Sequence, residues 1–269
     1  MLRFIFMGFL LVSCSDGWKS GYHVENGNVV HFSGFPAQKK VVSDADADSF
    51  ESLNNDYGKD KSHVFLRTDV IPAADPASFV LLGGVFSKDK RHGYIGSTLV
   101  TDDAAHFEII TNPNETPHNV TAEGIVYARD SQRVYTYSNE VIEGADPASF
   151  RFVPMFNGYY LAYDKRYVYF RHQPLEQVDG ASFVKLSDLY FKDKKAVWVL
   201  SMGQNTKWIL LPNADLATFK PLKKWYAKDK NHVYYQEQQV PGADPATFEE
   251  NDSLGGKDKY HIYQGTQIK

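Results

Sequence analysis

The sequence predicts a mainly β protein assembled from tandem β-hairpins joined by short helical turns. Three observations carry that prediction. A polar turn motif recurs eight times along the chain, a second motif recurs seven times in alternation with it, and the shortest repeating unit is 29 residues. Self-similarity at a fixed period identifies a repeat architecture before any single element is read. The composition agrees: of 269 residues 43 % are hydrophobic and 14 % aromatic, enough apolar material to bury a core and to exclude a disordered chain. The 29 Lys and Arg against 33 Asp and Glu give a formal charge of −4, which argues against a non-specific polyanion binder and so against a nucleic-acid partner. The single Cys excludes an intramolecular disulfide framework and a Cys-rich zinc site.

The first motif is aromatic-x-Lys-Asp-Lys-x-x-Val-aromatic, cleanest from Tyr226 to Tyr235. Its acid recurs at Glu25, Asp60, Asp89, Asp130, Asp164, Asp193, Asp229 and Asp258. Three residues earlier stands an aromatic in six copies (Tyr22, Tyr57, Phe86, Tyr127, Tyr190 and Tyr226). Five residues later stands another (Phe65, Tyr94, Tyr135, Tyr169, Trp198, Tyr234 and Tyr263), preceded by Val or Ile in six of these seven copies. β-Branched and aromatic residues flanking an Asp-Lys turn predict a β-hairpin. The two aromatic positions are expected to face each other as cross-strand pairs.

The second motif, Ala-Asp-Pro-Ala-Ser/Thr-Phe, predicts one helical turn. Asp occurs four residues before the Phe in all seven copies, at Asp46, Asp75, Asp103, Asp146, Asp179, Asp215 and Asp244. Asp is a favoured N-cap, and Pro is pre-set for the next position, which Pro76, Pro147 and Pro245 fill. The Phe of each copy (Phe50, Phe79, Phe107, Phe150, Phe183, Phe219 and Phe248) is expected to plug the core against the neighbouring hairpin. A lone hairpin cannot bury both faces, so stacked neighbours supply the stability. Units of 29 residues are short for a four-stranded propeller blade of roughly 40–45. An open solenoid or superhelical ribbon is therefore expected, with a closed propeller-like toroid as the alternative.

The N-terminus reads as an address. Arg3 precedes an apolar run from Phe4 to Val12, too short to span a bilayer but suited to a signal-peptide core. It ends in Leu11-Val12-Ser13-Cys14, which resembles the bacterial lipobox. The resemblance implies cleavage of residues 1–13 and lipid attachment, palmitate included, at Cys14, with residues 14–20 as a short tether and 21–269 as the repeat domain. Ser15, where an Asp would retain the protein at the inner membrane, implies transfer to the outer membrane, facing the periplasm. Membrane association is thus expected through the lipid alone.

The copies resemble the DKNYY family, named for Asp-Lys-Asn-Tyr-Tyr, which Asp229-Lys230-Asn231-His232-Val233-Tyr234-Tyr235 approximates. The resemblance covers about Gly21 to Tyr263. It implies a bacterial lipoprotein and nothing catalytic. Glu25 in the first copy, Gly93 in the third and Leu161 in the fifth depart from the pattern.

No nucleophile elbow, zinc-protease helix, P-loop or dinucleotide fingerprint occurs, so no enzyme and no cofactor is expected. The Asp-Lys pairs lack the converging oxygen ligands of a calcium loop, and His63, His92, His232 and His261 fall at one repeat position, which stacking would hold apart. No metal site is expected. The departures from period are the better places to look, because insertions in repeat proteins map to loops. Thr111–Glu123 lengthens one unit, and Asn112, Asn114, Glu115, His118 and Asn119 are its candidate contacts. Ser201–Trp208 lengthens another and offers Gln204, Asn205 and Trp208.

These features predict a non-enzymatic, lipid-anchored protein-binding scaffold of the bacterial envelope, its partner a protein of unknown identity. An immunity lipoprotein that neutralises a periplasmic toxin is a sharper variant. A glycan- or peptidoglycan-binding module is the alternative, and requires Tyr135, Tyr169, Trp198 and Tyr234 to form a solvent-facing row.

Overall fold

A computed structural model describes residues 19–111, 127–153, 155, 161–201, 207–251 and 255–269. Its described residues hold thirty short strands and one three-residue 3-10 helix, Gly180–Ser182. The strands form small antiparallel sheets of three or four, each a meander of neighbours in sequence, and none closes into a barrel. The chain is a β-repeat protein, as the motif spacing predicts.

One sheet explains the others. Lys220–Pro221, Tyr226–Lys228, Val233–Tyr235 and Gln238–Gln239 pair in that order. The predicted hairpin is its central pair, joined by Asp229–His232, where the Asp229 N–H donates to the His232 carbonyl at 3.0 Å. An outer strand is added on each side, so the unit is a four-stranded meander rather than a hairpin alone. The last connection is a two-residue turn, Gln236-Glu237, with Gln236 at φ 52°, a left-handed conformation that suits the twist of a tight hairpin.

Register corrects the expected aromatic pairing. Tyr226 lies opposite Tyr235, and Tyr234 lies opposite Ala227. The aromatics three before and five after the acid therefore sit on opposite faces, because the four-residue turn fixes the register and side chains alternate along a strand. The residue opposite the second aromatic is small in most copies (Gly58, Ser87, Ala128, Ala162, Ala227 and Gly256). The Phe plug covers it: a Cβ at Gly58 or Gly256 would run into the ring of Phe50 or Phe248. Phe191 is the exception, and there Phe183 stacks on it at 5.7 Å with the planes 12° apart.

The predicted helical turn is a single turn that closes too quickly to continue. Ser49, Ser78, Ser149, Thr218 and Thr247 each donate their N–H to the carbonyl of the Asp three residues before. Only the copy after Asp179 extends to a 3-10 helix, with Asp179 as N-cap accepting from the Ser182 N–H.

The chain divides into two compact units, one holding the repeats up to Ile109 and the other those from Glu140 onward. In both, the core lies between consecutive repeats. In the first unit Tyr57, Val64, Ile71, Phe79 and Tyr94 cluster, and in the second Tyr226, Val233, Val240, Phe248 and Tyr263 take the same repeat positions. Phe50, Phe79, Phe219 and Phe248 each sit between two aromatics: Phe219 lies 5.4 Å from Tyr190 of the preceding repeat and 5.8 Å from Tyr234 of its own. The hydroxyls of Tyr57, Tyr190 and Tyr226 reach backbone carbonyls of the following repeat, at Val85, Trp225 and Gly265. At these joints burial of apolar surface between repeats is reinforced by hydrogen bonding.

Candidate functional site

From the second copy on, the recurring acid is a heavily used polar group, whereas Glu25 of the first copy only pairs with Lys19 and Lys39. Asp60, Asp89, Asp130, Asp164, Asp193 and Asp229 are buried. At Asp229 one carboxylate oxygen accepts from the N–H groups of Asn231 and His232, both at 2.7 Å. The other accepts from the Asp215 N–H at 2.8 Å and the Tyr234 hydroxyl at 2.9 Å. The same four bonds recur at Asp89, from Arg91, His92, Asp75 and Tyr94. They recur at Asp164, from Arg166, Tyr167, Asp146 and Tyr169, and at Asp258, from Tyr260, His261, Asp244 and Tyr263. The carboxylate folds the hairpin turn, bolts the second aromatic and ties on the capping Asp. It is a clasp.

A second, exposed layer closes over it. The capping Asp accepts from its own Ser or Thr hydroxyl and pairs with the Lys that follows the clasp. Lys90 lies 3.0 Å from Asp75, Lys194 2.8 Å from Asp179 and Lys230 2.9 Å from Asp215. Lys61 with Asp46, Lys165 with Asp146 and Lys259 with Asp244 are the equivalent pairs. The Ser or Thr oxygen in turn accepts the N–H of that Lys, as Thr218 does from Lys230 at 3.0 Å. The clasp acids, the capping aspartates and the Lys that follows the clasp are thus partnered inside the array.

Electrostatics follow from this. Burial pushes the Asp89 and Asp258 carboxyls up, but the converging N–H groups and the Tyr hydroxyl outweigh it and hold both at about 2. Lys230 and then Thr218 bring Asp215 down to about 2, and Lys194 with Ser182 does the same at Asp179. Burial pushes the Tyr57 and Tyr226 hydroxyls up to about 12. These groups are held in one protonation state across neutral pH, which suits a framework rather than proton transfer. His92, His232 and His261 each place Nδ1 at 3.3–3.4 Å from the hydroxyl of their own repeat's clasp Tyr. Among the described residues no group of three or more His, Cys, Asp or Glu is placed to hold a metal.

The expected aromatic surface is corrected. Tyr135, Tyr169, Trp198 and Tyr234 are exposed by 2 %, 0 %, 6 % and 1 %, so they form no solvent-facing row. Their face carries the plug of the same repeat, and in Tyr169 and Tyr234 the hydroxyl is spent on the clasp. Sequence alone could not separate the two faces without the register.

The two departures from period fall in different connections of the meander. Strand Glu108–Ile109 pairs with Tyr127–Arg129, so the first insertion joins an outer strand to the central hairpin. Its candidates Asn112, Asn114, Glu115, His118 and Asn119 lie outside the described residues, as do Gln204, Asn205 and Cys14. The second insertion lengthens the last hairpin of its sheet, Val197–Ser201 with Lys207–Leu210. Trp208 is half-buried on the second of these strands, its ring 4.7 Å from Phe191 and 6.1 Å from Phe170. Its ring meets the larger Phe191, which replaces a small residue, with the planes tilted by 48°.

No curated protein and no solved structure matches the chain. The DKNYY family matches residues 22–162 and again 127–267. The two matches overlap and together span the repeats just described, so the chain belongs to the DKNYY family.

Proposed function

We propose that this protein is a non-enzymatic, lipid-anchored scaffold of the bacterial envelope that binds a protein partner. One observation carries the reading: the recurring polar and aromatic residues are engaged with each other inside the array, which leaves the non-repeated segments to distinguish this surface. The insertion between Ile109 and Tyr127 and the lengthened hairpin around 202–206 are those segments. Arg3, the apolar run Phe4–Val12 and the lone Cys14 support lipid anchoring, and Ser15 supports the outer membrane, facing the periplasm, as its place.

The test is capture of envelope proteins on the lipidated chain, read by mass spectrometry, beside variants in which 112–123 and 202–206 are each replaced by an Asn-Gly turn. A stoichiometric protein is expected on the parent and lost from at least one variant, with the unfolding midpoint unchanged. Capture that survives both replacements would place the contacts on the repeats and refute the assignment.

A further inference from the structure

The repeats serve as one another's controls, and one of them breaks a rule the others keep. The first position of each outer strand lies directly opposite the residue preceding the clasp acid. Glu51 faces Lys59, Glu108 faces Arg129 and Glu249 faces Lys257. Val80 faces Lys88, Val184 faces Lys192 and Arg151 faces Tyr163. Only Lys220 and Lys228 put like charges opposite each other. Like charges in directly paired positions oppose sheet formation. Burial and then Lys220 bring the Lys228 ammonium below its ordinary value.

The pair lines a groove of about 420 Å³ bounded by Thr218, Lys220, Lys228, Asp229, Lys230 and Pro245. Three of the negative groups around it are already committed, while Glu249 acts on Lys228. Asp229 is the saturated clasp, Asp215 pairs with Lys230 and Asp244 pairs with Lys259. Glu249 is opposite Lys257. Lys228 holds the Phe248 carbonyl at 2.9 Å, which fixes its Nζ at the groove, while Lys220 is exposed. The stretch 184–230 carries ten lysines and four acids in a chain whose net charge is −4. Departures from a fold's own local rules concentrate at functional sites.

We infer that the groove between Lys220, Lys228 and Lys230 binds a phosphate group, whether from a free phosphate compound or from a phospholipid headgroup. Two ammonium groups across a strand pair supply charge and donors for a tetrahedral oxyanion, with Lys230, held by Asp215, at the edge of the same groove. A bound phosphate also removes the repulsion that the bare pair carries. This inference stands on the described lysines and is independent of the insertions and of the lipid anchor.

The test titrates the full chain with inorganic phosphate, followed by NMR of the amides around Lys228, on the parent, Lys220→Glu and Lys195→Glu. Lys195 is an exposed lysine outside the groove and controls for net charge. Lys220→Glu recreates the acid–base pair of Glu51 and Lys59, so it is expected to raise the thermal midpoint while weakening phosphate binding at least tenfold. Lys195→Glu is expected to stay within twofold of the parent. A parallel arm sediments the chain with vesicles of phosphatidylglycerol or phosphatidylcholine. Binding to the former that Lys220→Glu abolishes identifies a headgroup as the source, and phosphate binding without it identifies a free compound. Absence of saturable binding in both arms, or an equal loss in Lys195→Glu, overturns the inference.

Discussion

Replacing Asp229 by alanine is expected to cost about 3–5 kcal/mol of stability, the scale for leaving several buried donors without their charged acceptor. Three N–H groups and the Tyr234 hydroxyl converge on that carboxylate, and none has another partner as close. Alanine would leave the hairpin turn, the capping Asp215 and the second aromatic each without its shared acceptor. Asp229→Asn is expected to cost about half as much, because its one remaining oxygen still closes the turn onto Asn231 and His232 as an Asx turn. Guanidinium unfolding followed by Trp and Tyr fluorescence measures both. An Asp229→Ala midpoint equal to that of the parent would show that the clasp is not what holds the repeat.

Phe219→Ala is expected to be comparably severe, about 3–5 kcal/mol, by loss of buried surface together with the cavity left behind. The ring is 6 % exposed and wedged between Tyr190 and Tyr234, so its removal loosens two repeats at once. Phe50→Ala makes the comparison, since Phe50 is only half-buried in the first copy and is expected to cost distinctly less. The Asp229 and Phe219 changes share Tyr234 as a neighbour, so their combination is expected to cost less than their sum. An additive double variant would show that clasp and plug act separately.

Much of this was legible in the sequence, and the reason is repetition. Eight acids at one motif position and seven Asp N-caps at another give the strand–turn alternation without any structure. The capping role of Asp179 and the plug role of Phe219 follow from residue chemistry that local geometry then realises. What sequence could not give was the connection between motifs. Asp215 and Asp229 stand 14 residues apart, and only the pairing of the two strands between them brings a backbone N–H of one onto the carboxylate of the other. The same gap hid the facing of Tyr135, Tyr169, Trp198 and Tyr234, because one residue of register decides whether an aromatic meets solvent or the plug. A usable signal was present: the small residue between the first aromatic and the Lys, as in Gly58 and Ala227, marks where a ring must lie. Lys220 opposite Lys228 was likewise invisible until the outer strand was placed, since the outer strand itself went unread.

The central claim is that converging donors hold the clasp carboxylates of Asp60, Asp89, Asp229 and Asp258 ionised. A 13C NMR titration of the Asp carboxyl groups tests it most directly. The ordinary Asp value in an unfolded chain is about 3.9. A folded-state value below it contributes stability that is fully present above about pH 4 and is lost as pH falls through the lower value. Asp89 and Asp258 are expected to titrate near 2, with Asp60 and Asp229 also below the ordinary range, and the fold to lose stability as the pH drops from about 4 toward 2. Clasp carboxyls that titrate near the ordinary value of about 3.9 would contradict the account.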